Sequence, residues 1–179
     1  MAQHGWKYSF ARCTGCKSCV VACRMEQNWP EKVKFRWVTE KEEGTYPNVA
    51  RHFFSSACFH CVDPACMAAC TLIGVNAITR NADFGAVTID QSLCIGCRQC
   101  QYACPYGAPQ WNEETETVYK CDLCVHRLEA GMNPACVDTC VGEALRLDTN
   151  CTGPSNTADA VDLGFANPDM TGPNITFDT

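Results

Sequence analysis

The stretch CIGCRQCQYACPYGAP, residues 94–109, sets four cysteines within eleven residues and follows the last of them with Pro105. The same crowding recurs along the chain. Cysteines stand at 13, 16, 19 and 23, at 58, 61, 66 and 70, at 94, 97, 100 and 104, and at 121, 124, 136 and 140, which leaves only Cys151 outside the four groups. An internal repeat of this kind governs how the rest of the chain is read. Every group opens C-x2-C and closes C-x3-C. The second lengthens its middle step through Val62-Asp63-Pro64-Ala65, and the fourth stretches that step from Cys124 to Cys136.

The bulk composition agrees with something unusual inside. At 179 residues the chain is one large domain or two small ones. Cysteine makes up 17 of those residues, in the range where a chain is cross-linked or metal-bound. Leu, Ile, Val and Phe together number only 33, about 18%, too few to fill an ordinary core. Disulfides fit poorly: the opening MAQHGWKYSF has no apolar export signal, the cysteine total is odd, and two-residue spacings suit ligation better than cross-linking. The longest run without Asp, Glu, Lys or Arg is Pro64 to Thr79, 16 residues, short of the roughly 20 apolar residues of a spanning helix. A soluble chain with no direct membrane span is expected, and any membrane contact would come through a partner. The formal charge of −6 argues against nucleic acid, which calls for a basic face.

Between the cysteine groups the pattern changes. A cysteine-rich turn followed by a short helical run is expected at Cys13 to Gln27, Cys58 to Leu72, Cys94 to Tyr106 and Cys121 to Ala130. Ala77 to Arg80 and Ala86 to Ile89 read as a hairpin around Asn81-Ala82-Asp83-Phe84-Gly85, and Val118-Tyr119-Lys120 leads into Cys121 in the same strand-like way. Arg24 to Ala57 is a charged and aromatic insertion, either a cover for clusters or a partner surface, or a β-rich packing flap. From Asp148 onward the chain turns to Thr, Asn, Gly, Pro and Asp, which predicts a tail that is disordered or laid along a partner.

The spacing states the chemistry. Three thiolates within seven residues can take three corners of an iron–sulfide cube, and the fourth, three residues further on, points along the following helix and away from that cube. In the bacterial ferredoxin pattern C-x2-C-x2-C-x3-C-P this fourth cysteine ligates the other cluster of a pair. Residues 94–105 match that pattern in full; the first group shares its spacing but continues with Arg24. Zinc is the rival, because Cys121, Cys124, Cys136 and Cys140 alone could form a tetrahedral site. The first and third groups crowd too many thiols into one loop for that. Four 4Fe–4S clusters use all sixteen grouped thiols.

CFHCVDPACMAAC, CIGCRQCQYACPYGAPQW and KCDLCVHRLEAGMNPACVDTC resemble the second, third and fourth cysteine groups of the DMSO-reductase-type iron–sulfur subunits of molybdenum and tungsten pterin oxidoreductases. RCTGCKSCVVAC is similar to the first group, and GTYPNVARHFFSSAC to the lead into the second. The resemblance covers roughly residues 7–148. It implies an α+β fold of two nested bacterial-ferredoxin-like modules, each with two 4Fe–4S clusters, an aromatic and charged insertion at 24–57 and an extended C-terminal tail. The outer module would combine 1–57 with 105–148, the inner would span 58–104, and the tail would be 149–179. It further implies that Cys13, Cys16, Cys19 and Cys140 hold one cluster and Cys121, Cys124, Cys136 and Cys23 its mate. Cys58, Cys61, Cys66 and Cys104 would hold the third, and Cys94, Cys97, Cys100 and Cys70 the fourth. Read from the residues alone, pairing of neighbours, first with second and third with fourth, stays open. Val141-Gly142-Glu143 departs from the proline-led turn after the last cysteine, and a chain without the membrane-anchoring tail of some relatives is expected.

The implied function is an electron-transfer subunit, not itself an enzyme, that relays single electrons between a large catalytic molybdenum or tungsten pterin subunit and a second electron donor or acceptor protein. A free-standing polyferredoxin, a hydrogenase-linked carrier and a zinc-bound structural module are the alternatives. No catalytic residues are expected. Cys151 reads as a free or structural thiol, and His60 as a packing or solvent-facing side chain or else a tuner of cluster potential. Arg98 and Lys120 stand beside ligands as candidates to balance thiolate charge. Asn150-Cys151-Thr152 and Asn174-Ile175-Thr176 match the glycosylation pattern weakly. The expected location is cytoplasmic, with co-export beside a signal-bearing partner left open.

Overall fold

The computed structural model of the chain describes residues 3–155, 157, 160–161 and 165–178. Its elements are short and of mixed α and β type. Strand β1 (Gly5–Ser9) reads GWKYS, so Trp6 and Tyr8 share one face of the pleat and both are buried. It is the middle strand of a three-stranded sheet. Strand β8 (Leu145–Asp148) runs antiparallel to it, from Gly5↔Asp148 to Tyr8↔Leu145. Strand β9 (Ile175–Asp178) runs parallel on the other side, from Trp6↔Ile175 to Ser9↔Asp178.

The helices each follow a cysteine-bearing loop: α1 (Ser18–Gln27), α2 (Ala65–Leu72), α3 (Gln99–Ala103), α4 (Val125–Glu129) and α5 (Ala135–Asp138). Pro64 and Pro134 stand at the starts of α2 and α5, where a missing N–H leaves no helical bond unmade. Helix α1 packs against α5, and α2 against α3. Hairpin β4 (Ile78–Arg80) with β5 (Val87–Ile89) connects α2 to α3, as the alternation around Asn81 predicts. Hairpin β6 (Gln110–Asn112) with β7 (Thr117–Tyr119) connects α3 to α4.

The insertion is a long hairpin of β2 (Arg36–Thr45) and β3 (Asn48–Ala57), paired from Arg36↔Ala57 to Thr45↔Asn48. Its turn end is exposed, while Arg36 and Phe54 to Ala57 at its base are buried. It is therefore rooted in the core, with only its far half standing in solvent. Aromatic rings supply the apolar volume that the aliphatic residues lack. Tyr8, Phe10, Phe54, Phe59, Tyr106, Phe165 and Phe177 form one cluster, many of its pairs edge-to-face, with centroids 4.9 to 6.4 Å apart.

The expectation of a tail that is disordered or laid along a partner is corrected here for residues 165–178. Ile175 and Phe177 are 1% and 3% exposed, and Phe165 joins the same ring cluster. The strap also binds the second cysteine group through Val62 N–H to Gly172 O (2.8 Å), Asp63 N–H to Thr171 O (3.0 Å) and Asn174 N–H to Phe59 O (3.1 Å). The physical reason is that three apolar side chains suffice when they complete an existing core and the backbone of β9 finds a sheet edge on β1. Composition judged the segment as if it had to fold alone. Phe177→Ala is expected to lower stability by about 3–5 kcal/mol, seen as an earlier thermal transition in anaerobic circular dichroism; an unchanged transition would mean that β9 contributes nothing to the core.

Candidate metal centres

The loop before α1 and the loop before α3 have the same backbone shape. Gly15 and Gly96 lie at φ of +68° and +66°, and Lys17 and Arg98 both lie at +62°. Alternating left-handed residues turn successive N–H groups and the flanking thiols toward a common concavity. A Cβ at Gly96 would stand 2.0 Å from the Glu116 carbonyl oxygen, and one at Gly15 2.5 Å from the Phe53 ring. Only glycine fits either position.

These loops and the helices behind them gather the cysteines around cavities. Cys13, Cys16, Cys19 and Cys140 line a void of about 370 Å³, part of it open to solvent. Cys58, Cys61, Cys66 and Cys104 line one of about 360 Å³, and Cys70, Cys94, Cys97 and Cys100 one of about 320 Å³. The remaining four face one another: Cys23 feels Cys124 and Cys136, and Cys121 feels Cys23 and Cys124. Each set thus combines three thiols of one group with the closing thiol of another, the first group with the fourth and the second with the third. The packing of α1 on α5 and of α2 on α3 produces this arrangement. Cys16 and Cys97 are the exposed members. Cys151 is buried beside Gly5, apart from the four sets.

The surroundings fit an anionic, thiolate-held group. Burial, reinforced by neighbouring sulfurs, pushes the Cys61 and Cys66 thiols up to about 12 and Cys100 to about 11. Burial likewise raises Cys136 to about 11, with Arg36 opposing. Soft sulfur donors held protonated by burial are released as thiolates when a metal displaces their protons. Sulfur also receives hydrogen bonds from Leu123 N–H to Cys121 (3.4 Å), Leu145 N–H to Cys140 (3.4 Å) and the Gln27 amide to Cys124 (3.5 Å).

Two buried cations stand among the thiols. Arg36, 1% exposed, lies over the Trp6 ring at 4.6 Å and donates to Ser55 Oγ at 3.0 Å, which in turn lies 3.3 Å from Cys19 Sγ. Its Nε and Nη2 are buried without a hydrogen-bond partner among the described residues. Burial works against its charge, and the sulfurs of Cys136, Cys19, Cys121 and Cys23 favour it once they are ionised. Lys120 is 5% exposed; burial opposes its ammonium too, and the ionised sulfurs of Cys58, Cys66 and Cys121 favour it. Among the described residues neither cation forms a salt bridge with a carboxylate. A buried cation without a counter-charge is costly, and negatively charged sulfur clusters in the adjoining sets would supply it. Arg36 went unnoticed in the sequence; the only hint is an arginine held between Phe35 and Trp37 at a strand start. His60, by contrast, is wholly buried, which removes the solvent-facing reading. Arg98 lies over the Trp111 ring at 3.9 Å. Asn174 is fully buried and donates to the His60 carbonyl, so that sequon cannot carry a glycan.

A model of the 4Fe-4S dicluster domain matches residues 49–150, and one of the 4Fe-4S binding domain matches residues 10–26. Over 154 residues the sequence is 38% identical to an anaerobic dimethyl sulfoxide reductase chain of Haemophilus influenzae, a match covering 81% of this protein and 73% of that one. To the Escherichia coli protein of the same name it is 40% identical over 151 residues, covering 80% and 72%. To a tetrathionate reductase subunit of Salmonella typhimurium it is 42% identical over 136 residues, covering 74% and 52%.

Gly96→Ala adds a left-handed penalty of about 1–2 kcal/mol to a clash with the Glu116 carbonyl. The expected outcome is a protein that loses the metal of the third loop and keeps the rest, read as metal content per chain. Full metal content would show that the loop tolerates the methyl group.

Proposed function

Since the chain belongs to the iron–sulfur subunits of the molybdopterin oxidoreductases, we propose that it relays single electrons between a catalytic molybdenum or tungsten pterin subunit and a second redox protein. It is an electron-transfer subunit whose catalytic centre lies in another chain. Four 4Fe–4S clusters, when bound, each supply a site that accepts and releases one electron.

The observation that carries this reading is the gathering of sixteen thiols into four sets, three of them beside a buried Arg36 or Lys120. In this proposal Cys13, Cys16, Cys19 and Cys140 hold one cluster, and Cys23, Cys121, Cys124 and Cys136 its mate. Cys58, Cys61, Cys66 and Cys104 hold the third, and Cys70, Cys94, Cys97 and Cys100 the fourth. The outer ferredoxin-like module then comprises 1–57 with 105–148, closed by α1 on α5, and the inner one 58–104, closed by α2 on α3. Arg36 and Ser55 lie between the two outer sets, and His60 and Lys120 between the outer and inner modules. The sets therefore follow one another in a row whose two ends carry the exposed ligands Cys16 and Cys97. Those ends are the ports toward the catalytic chain and the second partner, while the ring cluster and the C-terminal strap keep water from the middle. No helix among the described residues is long and apolar enough to cross a membrane. Work in the cytoplasm is part of the proposal, with co-export beside a signal-bearing partner as the alternative.

Anaerobic isolation of the chain with the large subunit that co-elutes tests the reading. About sixteen iron atoms per chain, with molybdenum or tungsten in the companion, is the expected outcome. Iron at that level without a companion would point to a free polyferredoxin, and zinc in place of iron would end the electron-transfer reading. Cys61→Ser should disturb one cluster and leave the other three.

A further inference from the structure

Between the set of Cys58, Cys61, Cys66 and Cys104 and the set of Cys23, Cys121, Cys124 and Cys136 two side chains are buried, and each reaches across to the other's set. His60 belongs by sequence to the second cysteine group, between Cys58 and Cys61. Its Nδ1 accepts the Val87 N–H at 3.0 Å. A neutral imidazole whose Nδ1 accepts carries its proton on Nε2, and Nε2 lies 3.7 Å from Cys121 Sγ. The ring thus donates to a sulfur of the fourth group.

Lys120 belongs to the fourth group, next to Cys121, and reaches the opposite way. An ammonium has three N–H donors. Lys120 Nζ gives one to the Val87 carbonyl, one to the Cys121 carbonyl at 2.9 Å, and aims the third at Cys58 Sγ, 3.7 Å away. The Val87 peptide anchors both residues, its N–H holding the His60 ring and its C=O holding the Lys120 head. The His60 backbone, at φ 46°, is pinned in turn by Asn174, whose amide donates to the His60 carbonyl from the C-terminal strap. The donors are crossed, and strand β5 and the strap set the aim of both.

We propose that His60 and Lys120 are positioning residues that hold up the reduction potentials of the two central clusters, each acting on the cluster bound by the other module. This rests on the four-cluster reading above. A hydrogen bond to a ligand sulfur and a nearby positive charge both stabilise the added electron and so raise the potential. Because the donors cross, the two potentials rise together, which keeps the electron step between the two central sites small.

The test is a redox titration of the cluster-loaded full chain with its large subunit, followed by EPR, with signals assigned through parallel Cys124→Ser and Cys61→Ser chains. His60→Phe is expected to shift the reduced-to-oxidised ratio of the cluster on Cys121 tenfold toward oxidised, about 59 mV lower for one electron, and to move the cluster on Cys58 less. Lys120→Met is expected to give the larger drop on the Cys58 cluster. His60→Gln, which keeps an N–H donor, should return part of the lost potential. Four intact clusters with unmoved potentials in His60→Phe and Lys120→Met would overturn the inference and leave the four-cluster reading standing. Iron far below sixteen per unsubstituted chain would remove that reading and the inference with it. Where a substituted chain does not assemble, pulsed EPR of the unsubstituted chain grown on ¹⁵N-histidine decides: a nitrogen coupling that changes on labelling supports the bridge, and none overturns it.

Discussion

The requirement that sixteen thiols gather in four sets shapes the rest of this chain. A loop that turns three thiols toward one concavity needs left-handed backbone, which is why Gly15 and Gly96, with Lys17 and Arg98, take positive φ. It also needs a helix to carry the closing thiol away from that concavity, and α1, α2, α3 and α5 are little longer than that duty demands. Interior volume given over to sulfur is not available to Leu, Ile and Val. The apolar seal is made instead by large rings such as Phe54, Phe59 and Phe177, which cover much surface per residue.

Electrostatics follows from the same requirement. Arg36 and Lys120 are buried with their charge, a placement that makes physical sense only beside groups of opposite sign. Segments without cysteines are thereby drawn into service of the sulfur sets. The base of the β2–β3 hairpin contributes Arg36 and Ser55, and its exposed half, with ion pairs such as Arg51 to Glu42 at 2.9 Å, adds little stability. The C-terminal strap contributes Asn174 against His60, and Thr171, whose hydroxyl donates to the Tyr106 hydroxyl at 3.2 Å on the rim of the Cys58 set. Strand β1 ties these pieces together, pairing on one edge with the segment after the last cysteine group and on the other with the strap.

Much of this was legible in the residues. The C-x2-C-x2-C loops, the short helices behind them and the β4–β5 hairpin follow from local spacing, turn residues and alternation, all within about a dozen residues of chain. The strap was misjudged because its apolar content is too low for independent folding, whereas its neighbours supply the missing surface. Little in the local sequence marks Arg36, and Asn174 reads only as a weak sequon, for a similar reason: their roles arise from what is packed around them, and sequence windows of that size contain none of it.

From spacing alone the sequence points to the kind of centre: three thiols at two-residue intervals, in the first and third groups, suit a cornered sulfur-rich group better than zinc, and four 4Fe–4S clusters account for all sixteen grouped cysteines. It could not decide which closing thiol meets which triplet, since Cys13 and Cys140 lie more than a hundred residues apart and neighbouring or nested pairing would leave the same local spacing. The packing of α1 on α5 and of α2 on α3 brings residues of the first group beside the fourth and of the second beside the third, which supports the nested pairing proposed above. The tertiary structure alone brings His60 to Cys121 and Lys120 to Cys58, because a crossed pair of donors exists only once the second and fourth cysteine groups share a buried face.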